Sequence, residues 1–529
     1  MTAPPRDIVS GVLADAAGQM YVLGSSLSNA NTPLPPPLAP IPGRFLSHDD
    51  LAVVKLAPDG TVLWSLTYDF PTLGDTNLTP QTQSGHDVPL EGVLGADGSL
   101  YVLSQMTYRY DTVIINIGNP PQPTETTIPA YGLGIVKISS SGSVTWTTIH
   151  FPPGVVSMSP ISMAMGDSGR LYAAYVANAT GGGQTQGVLV VESAGGTTVT
   201  DLRVNAGGAS AFTLPRVVRR GTGGRIYVAS TPPTSAGSSA LLTVIDDATA
   251  SIVRETFATG AVSRGVEGMA VSPVTGDVAI GGTVDGPGGG DAMVAKFSAS
   301  GDHLWTSAFN DGNNSSQRVV AGIAMDAAGN VYTAGIQGIA PSPNDIFVVK
   351  FAAGGGAPAW GRVWSMGATV SEFVTGRQGI VVRPAGEVVV SGWVPGEVPG
   401  SDFDMLALPL NADTGEVGTP IIYDAAISSA SDDRVSGGLL VAPDGGVVLA
   451  GRASTARNMD FAVVKFGGSV PCPSCVADFN QDGGVDGADI ASFFPEWEAS
   501  ASCADVNLDG GVDGGDIEAF FLVWQEGGC

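Results

Sequence analysis

The densest chemistry in the chain lies near its end. Asp478-Phe-Asn480-Gln-Asp482-Gly483-Gly484-Val485-Asp486-Gly-Ala-Asp489 is followed 27 residues later by Asp505-Val-Asn507-Leu-Asp509-Gly510-Gly511-Val512-Asp513-Gly-Gly-Asp516. Oxygen-bearing side chains at positions 1, 3, 5 and 12, with Gly at position 6, suit a hard cation. Calcium takes six to eight oxygens, and the glycine permits the sharp turn. The expected ligands are Asp478, Asn480, Asp482 and Asp489 for one ion, and Asp505, Asn507, Asp509 and Asp516 for a second. Gly484 and Gly511 offer backbone carbonyls at position 7, and Asp486 and Asp513 act through water at position 9.

Each loop needs an element to hold it. Ile490/Ile517, Phe493/Phe520, Phe494/Phe521 and Trp497/Trp524 repeat at the same offset as the loops. They predict a short amphipathic helix after each loop and packing of the two helices together. Residues 472–529 carry 12 acidic groups and no Lys or Arg, so folding of this segment is expected to be calcium-coupled. With Asp at position 12 and one helix per loop, residues 476–526 resemble a type I dockerin. The resemblance implies two bound calcium ions and docking to a cohesin-like or cell-envelope protein. Loop positions 10 and 11 depart from it: Gly487-Ala488 and Gly514-Gly515 stand where dockerins usually carry polar residues, often Ser-Thr, that contact cohesin. The ending Gly527-Gly528-Cys529 is similar to a dockerin-like subgroup that finishes in Gly-Cys, for which an anchoring role is implied.

All four cysteines (Cys472, Cys475, Cys503, Cys529) fall in this segment. Two disulfides and an oxidising compartment are the expectation. Three pairings are open. Cys475 and Cys503 each precede a loop closely, which favours joining them and leaves Cys472 and Cys529 near the ends of the module. A four-cysteine zinc site is the rival, weakened because Cys472-Pro-Ser-Cys475 has no second CxxC to match it.

The composition changes sharply near residue 468. We read 1–467 as one domain, 468–475 as a linker and 476–529 as the calcium module. Within 1–467 one phrase recurs: Val12-Leu-Ala-Asp15-Ala-Ala-Gly18-Gln-Met-Tyr21, then Asp50-Leu-Ala-Val-Val-Lys55, then Trp64. Its turn glycine returns at Gly98, Gly169, Gly224, Gly276, Gly329, Gly386 and Gly445, eight copies in all with a mean period of 61 residues. Each copy reads as four strands, with Tyr on the second, a β-branched run ending in Lys on the third, and Trp on the fourth. Four-strand units repeated around a ring make a β-propeller. The last copy stops at Lys465-Phe466 without a Trp strand, so seven or eight blades fit. The fold class is therefore all-β, a propeller of four-stranded antiparallel blades with a small α-helical calcium-binding domain. These repeats resemble the bacterial SBBP β-propeller family, most clearly in copies one, five, six and eight and weakly in three and four. The family implies the propeller and an exported location, and it implies no reaction.

Residues 25–49, 65–91 and 104–131 read as long loops on one face of the disc, the expected ligand face. They supply Tyr68, His86, Tyr108, Arg109 and Tyr110. The recurring Asp/Lys pairs of the third strand (Asp50/Lys55, Asp291/Lys296, Asp345/Lys350, Asp460/Lys465) read as blade structure, as do Trp64, Trp146 and Trp305. No histidine (His48, His86, His150, His303) sits in a triad or metal motif. A net charge of −27 excludes nucleic acid as a main partner. No apolar run approaches the length of a membrane span. Disulfides and calcium point to a secreted or cell-surface protein, although Met1-Thr-Ala-Pro-Pro-Arg does not open like a signal peptide. The expected function is non-catalytic: a propeller displayed through its calcium module. The alternative is a dockerin-bearing carbohydrate-active enzyme, a glycoside hydrolase or polysaccharide lyase in polysaccharide catabolism, for which a carboxylate pair on the long-loop face is the required feature.

Overall fold

The computed structural model describes residues 7–28, 48–71, 86–117, 122–204, 213–286, 289–310, 317–338, 344–367, 371–376, 378–383, 386–396, 403–425, 432–454, 459–467, 475–479, 484–498, 502–507 and 512–526. By its contacts the chain divides into two units, Met1–Leu440 with Leu449–Val464, and Val441–Val448 with Lys465–Cys529.

Among the described residues there are eight antiparallel sheets. Six are four-stranded and built in simple chain order, from 8–68, 87–150, 155–203, 214–257, 263–309 and 317–364. The seventh (373–423) splits its inner strand into Phe373–Val374 and Ile380–Arg383, both paired to Glu387–Pro395. The eighth (434–466) has three strands. The protein is thus an eight-bladed β-propeller, and its last copy, which lacks the Trp in sequence, has three strands among the described residues. Copies three and four, weakest in the sequence phrase, form complete blades.

The eight turn glycines all adopt φ between +70° and +82°. That region is nearly closed to residues with a Cβ, which is why this position is the most regular in the sequence. The core lies between blades. Val217, Tyr227 and Val244 of the fourth blade pack with Val266, Ile280 and Met293 of the fifth. Tyr21 and Leu51 of the first pack with Val102 and Val136 of the second.

The recurring Lys and Trp stitch those seams. Trp64 Nε1 donates to Ser140 O, Trp146 to Ser193 O, Trp305 to Ala353 O and Trp360 to Ala412 O. In each case the acceptor belongs to the last turn of the next blade. Lys296, 4% exposed at its side chain, donates to Gly329 O and Ala353 O and lies 3.4 Å from Asp277. Lys350 donates to Ala412 O. Across the seam between the eighth and first blades Asp7 N donates to Met459 O, and Ser436 Oγ to Val9 O.

One expectation is corrected. Residues 104–131 are no loop. The second and third strands of blade two continue, as Leu100–Ile117 and Gln122–Ile138, and stay paired out to Ile117↔Gln122, with one register shift between Thr107 and Arg109 that skips Tyr108. Most of the other two long segments, 29–47 and 72–85, lies outside the described residues. Among the described residues no helix is long and apolar enough to cross a membrane.

Candidate functional site

The propeller contains a cavity of about 700 Å³ on its axis, lined by the first halves of the inner strands. Ile8–Ser10, Val88–Glu91, Ser159–Ile161 and Leu214–Arg216 contribute to its wall, with Thr375, Gln378 and Ser436–Gly438. The inner strands are entered from the blade-to-blade connections. The cavity therefore lies toward the face on which the sequence places its longest segments.

The wall is built by a repeated irregularity. The ladder between the inner strand and its neighbour skips one residue between Val9 and Gly11, Pro89 and Glu91, Pro160 and Ser162, Pro215 and Val217, Val266 and Gly268, and Val320 and Gly322. The skipped residues are Ser10, Leu90, Ile161, Arg216, Glu267 and Ala321. Each stands eight residues before its turn glycine, or nine in the fifth blade. The same count reaches Gln378, in the break of the seventh inner strand, and Gly437 in the eighth. A bulged residue has no ladder partner and its side chain is re-aimed. Six of these eight positions line the cavity. The signal that finds them is a fixed offset from the turn glycine, with no preferred residue type.

The cavity's charged groups differ in their freedom. Glu91 accepts from Arg219 (2.7 Å), Ser162 Oγ (2.5 Å) and Met163 N (2.9 Å), which fixes it as a structural carboxylate. Arg216 Nε and Gln378 Oε1 are buried with no hydrogen-bond partner. Tyr68, His86, Tyr108 and Arg109, expected on a ligand face, are engaged elsewhere. Tyr68 Oη lies 2.8 Å from Thr147 Oγ1, and His86 Nδ1 3.0 Å from Asp49 Oδ2. Tyr108 stacks on Phe151 at 4.1 Å, and Arg109 lies over the same ring. Tyr110 pairs with Pro129 in the long hairpin; its side chain lies outside the described residues.

Carboxylates also gather where one blade meets the next. Asp50, Asp69 and Asp87 bring oxygens within 4.8 Å of one another. Asp87 is fully buried, and burial with its two acidic neighbours raises its pKa to about 8. Glu372, facing Asp345, is raised to about 7, again mainly by burial. The fifth-to-sixth junction replaces the second acid with Arg318, fully buried and 3.6 Å from Asp291. Recurrence at successive junctions marks these groups as parts of the seam.

The C-terminal unit holds two helices, Gly487–Glu498 and Gly514–Glu526. Phe493 and Phe520 stack face to face at 4.1 Å, with Phe479 edge-on to both. The two loops are tied reciprocally: Trp497 Nε1 donates to Asp513 O at 2.7 Å, and Trp524 Nε1 to Asp486 O at 3.0 Å. Asp489 and Asp516 are fully buried at the first turns of the helices. Asp489 Oδ2 accepts from Asp486 N, and Asp516 Oδ2 from Asp513 N. Backbone N–H groups, that of Asp513 first, hold the Asp516 carboxyl below the usual range. Asp478, Gly484, Asp486, Asp505, Asn507 and Asp513 are described; Asn480, Asp482, Asp509 and Gly511 lie outside the described residues. Cys475 and Cys503 are described, while Cys472 and Cys529 lie outside the described residues.

No protein-family model matches the chain, and no curated protein matches it in sequence. Solved structures give distant likenesses. Hydrazine synthase of Kuenenia stuttgartiensis is 12% identical, covering 72% of this chain and 96% of that one, with a TM-score of 0.41. The WD40 domain of SCAP from fission yeast is 9% identical, covering 88% and 97%, with a TM-score of 0.41. A PL25 ulvan lyase is 9% identical, covering 80% and 94%, with a TM-score of 0.39. At these values no activity is carried over.

Proposed function

We propose that the chain is an exported, non-catalytic binding propeller carried on a C-terminal calcium module of dockerin-like type. One observation supports the calcium reading above the others: Asp489 and Asp516 are fully buried in a segment, 472–529, that contains no Lys or Arg. Buried carboxylates need a cation or a proton, and backbone N–H donors favour the ionised form of Asp516. The donor set is all oxygen, as a hard divalent ion prefers. Asp478, Asn480, Asp482, Gly484 and Asp489 would hold one ion and Asp505, Asn507, Asp509, Gly511 and Asp516 the other, with Asp486 and Asp513 acting through water. A cohesin-like or cell-envelope protein is the proposed partner, and two disulfides among the four cysteines the proposed covalent frame, both suited to the cell exterior. On the propeller side the reading rests on Glu91, whose three partners leave it no catalytic freedom. Calorimetric titration of the chelator-stripped full chain tests the calcium reading. Two calcium ions per chain, falling to one in Asp489→Ala or Asp516→Ala, support it; no calcium uptake overturns it.

A further inference from the structure

The axial cavity is mostly apolar, yet two of its polar groups face no partner. Arg216 is the extra residue of its strand: Pro215 pairs with Ser230, Val217 with Ala229, and Arg216 with neither. Its Nε is buried and makes no hydrogen bond. The desolvation of that donor is not returned by the neighbouring Glu91, which is taken by Arg219 at 2.7 Å. Glu267, at the equivalent position of the next blade, has an interaction of its own. Gln378 Oε1, entering from the break in the seventh inner strand, is buried and accepts from no donor. Around them stand Val88, Leu90, Pro160 and Leu214.

We propose that this cavity binds a small organic carboxylate with an apolar body and a hydroxyl group, the carboxylate on Arg216 and the hydroxyl donating to Gln378. A planar guanidinium matches a carboxylate through two parallel N–H donors, and such pairs are among the stronger hydrogen bonds. The hydroxyl supplies the donor Gln378 Oε1 lacks, and the apolar wall takes the rest of the molecule. A cavity of about 700 Å³ is within the range of small-molecule sites. Recruitment to the bulge explains why an arginine is tolerated there: no ladder pairing depends on it. The inference concerns the propeller alone and stands or falls separately from the calcium module.

The test is calorimetry on the full chain with three probes of one shape. Mandelate has the charge, the hydroxyl and the ring; mandelamide lacks the charge; phenylacetate lacks the hydroxyl. Mandelate is expected to bind about tenfold or more tighter than mandelamide and about fivefold tighter than phenylacetate. In Arg216→Met the mandelate–mandelamide difference disappears, and in Gln378→Leu the mandelate–phenylacetate difference disappears. Equal affinity of the three probes for the native protein, or no binding of mandelate, overturns the proposal. So does an Arg216→Met protein that melts like the native one and still prefers mandelate. Because the probe series is read on the native chain first, a variant that fails to fold leaves the proposal open to refutation.

Discussion

Asp87 and Phe70 join the first two blades through one short hydrogen bond: the carboxylate of Asp87 accepts the backbone N–H of Phe70 at 2.6 Å. Glu372 repeats the contact with Met366 N at 2.7 Å, and Asp433 with Ala425 N at 2.7 Å. An acid at the start of an inner strand, or one residue before it, thus caps the connection that leads into it. At two of these seams burial raises the pKa of the capping acid.

That sets a pH dependence. The pKa of Asp87 is raised from 3.8 to about 8, so the folded state binds a proton that the unfolded chain has released over that interval. The contribution is fully present below the unfolded value and is lost as pH rises through about 8. Glu372 acts in the same direction, with its loss near 7. The native protein is expected to melt lower at alkaline than at mildly acidic pH. Asp87→Asn, which cannot ionise, should narrow that difference. Thermal melts across the interval check it, and an unchanged difference in the variant would mean the titration lies elsewhere.

The Trp seam gives a second expectation. Gly196 has φ +70°, and a Cβ there would lie 2.7 Å from Trp146 Cε3. Gly60 occupies the same turn in blade one, with φ +90°, and among the described residues a Cβ there would meet nothing within 4 Å. Gly60→Ala should cost about 1 kcal/mol, from backbone strain alone. Gly196→Ala should cost about 2–3 kcal/mol, from strain plus the collision. Denaturant midpoints compare the two, and equal losses would deny the Trp contact its role.

Lys296 offers a third. Its ammonium serves Gly329 O and Ala353 O across the seam between the fifth and sixth blades. Lys296→Met keeps the packing of the stem, takes the ammonium donor from Gly329 O and leaves Ala353 O with Trp305 Nε1. A loss of about 3 kcal/mol is expected by chemical denaturation. A neutral result would show that water replaces the amine.

The reciprocal tryptophans make the two loops interdependent in the proposed calcium binding. Trp524 belongs to the second helix but holds the Asp486 carbonyl of the first loop. Trp524→Phe should therefore weaken calcium uptake at the first loop more than at the second. Calorimetry on the full chain, with Asp489→Ala and Asp516→Ala to separate the sites, reads the asymmetry. Equal weakening of both sites would make Trp524 a general core residue.

What the sequence discloses follows from what each position must do. The turn glycines are legible because a positive φ admits little else. The Trp are legible because the last turn of the next blade supplies an acceptor each time, an acceptor that Lys296 and Lys350 share. The cavity was not legible, because a bulged residue answers to no partner in the strand ladder and its type wanders from Ser10 to Leu90 to Arg216. The hairpin at 104–131 hid behind Pro123 and Pro129, which read as loop residues; they are tolerated in a ribbon projecting past the blade, away from a crowded sheet interior. Glu91 escaped notice because its partners, Arg219 and Ser162, come from the fourth and third blades.

The bulge ring has a further meaning for how such a protein can change. Read around the axis, its eight positions spell Ser, Leu, Ile, Arg, Glu, Ala, Gln, Gly. Because the ladder passes over these residues where the skip is seen, a letter can be exchanged there with little disturbance to the strands that carry it. Recognition and architecture are written in separate alphabets on one chain. Tandem copies of a single repeat can then diverge into a chamber of new chemistry through single-codon steps at one offset, while the glycine, lysine and tryptophan that hold the disc together stay as they are.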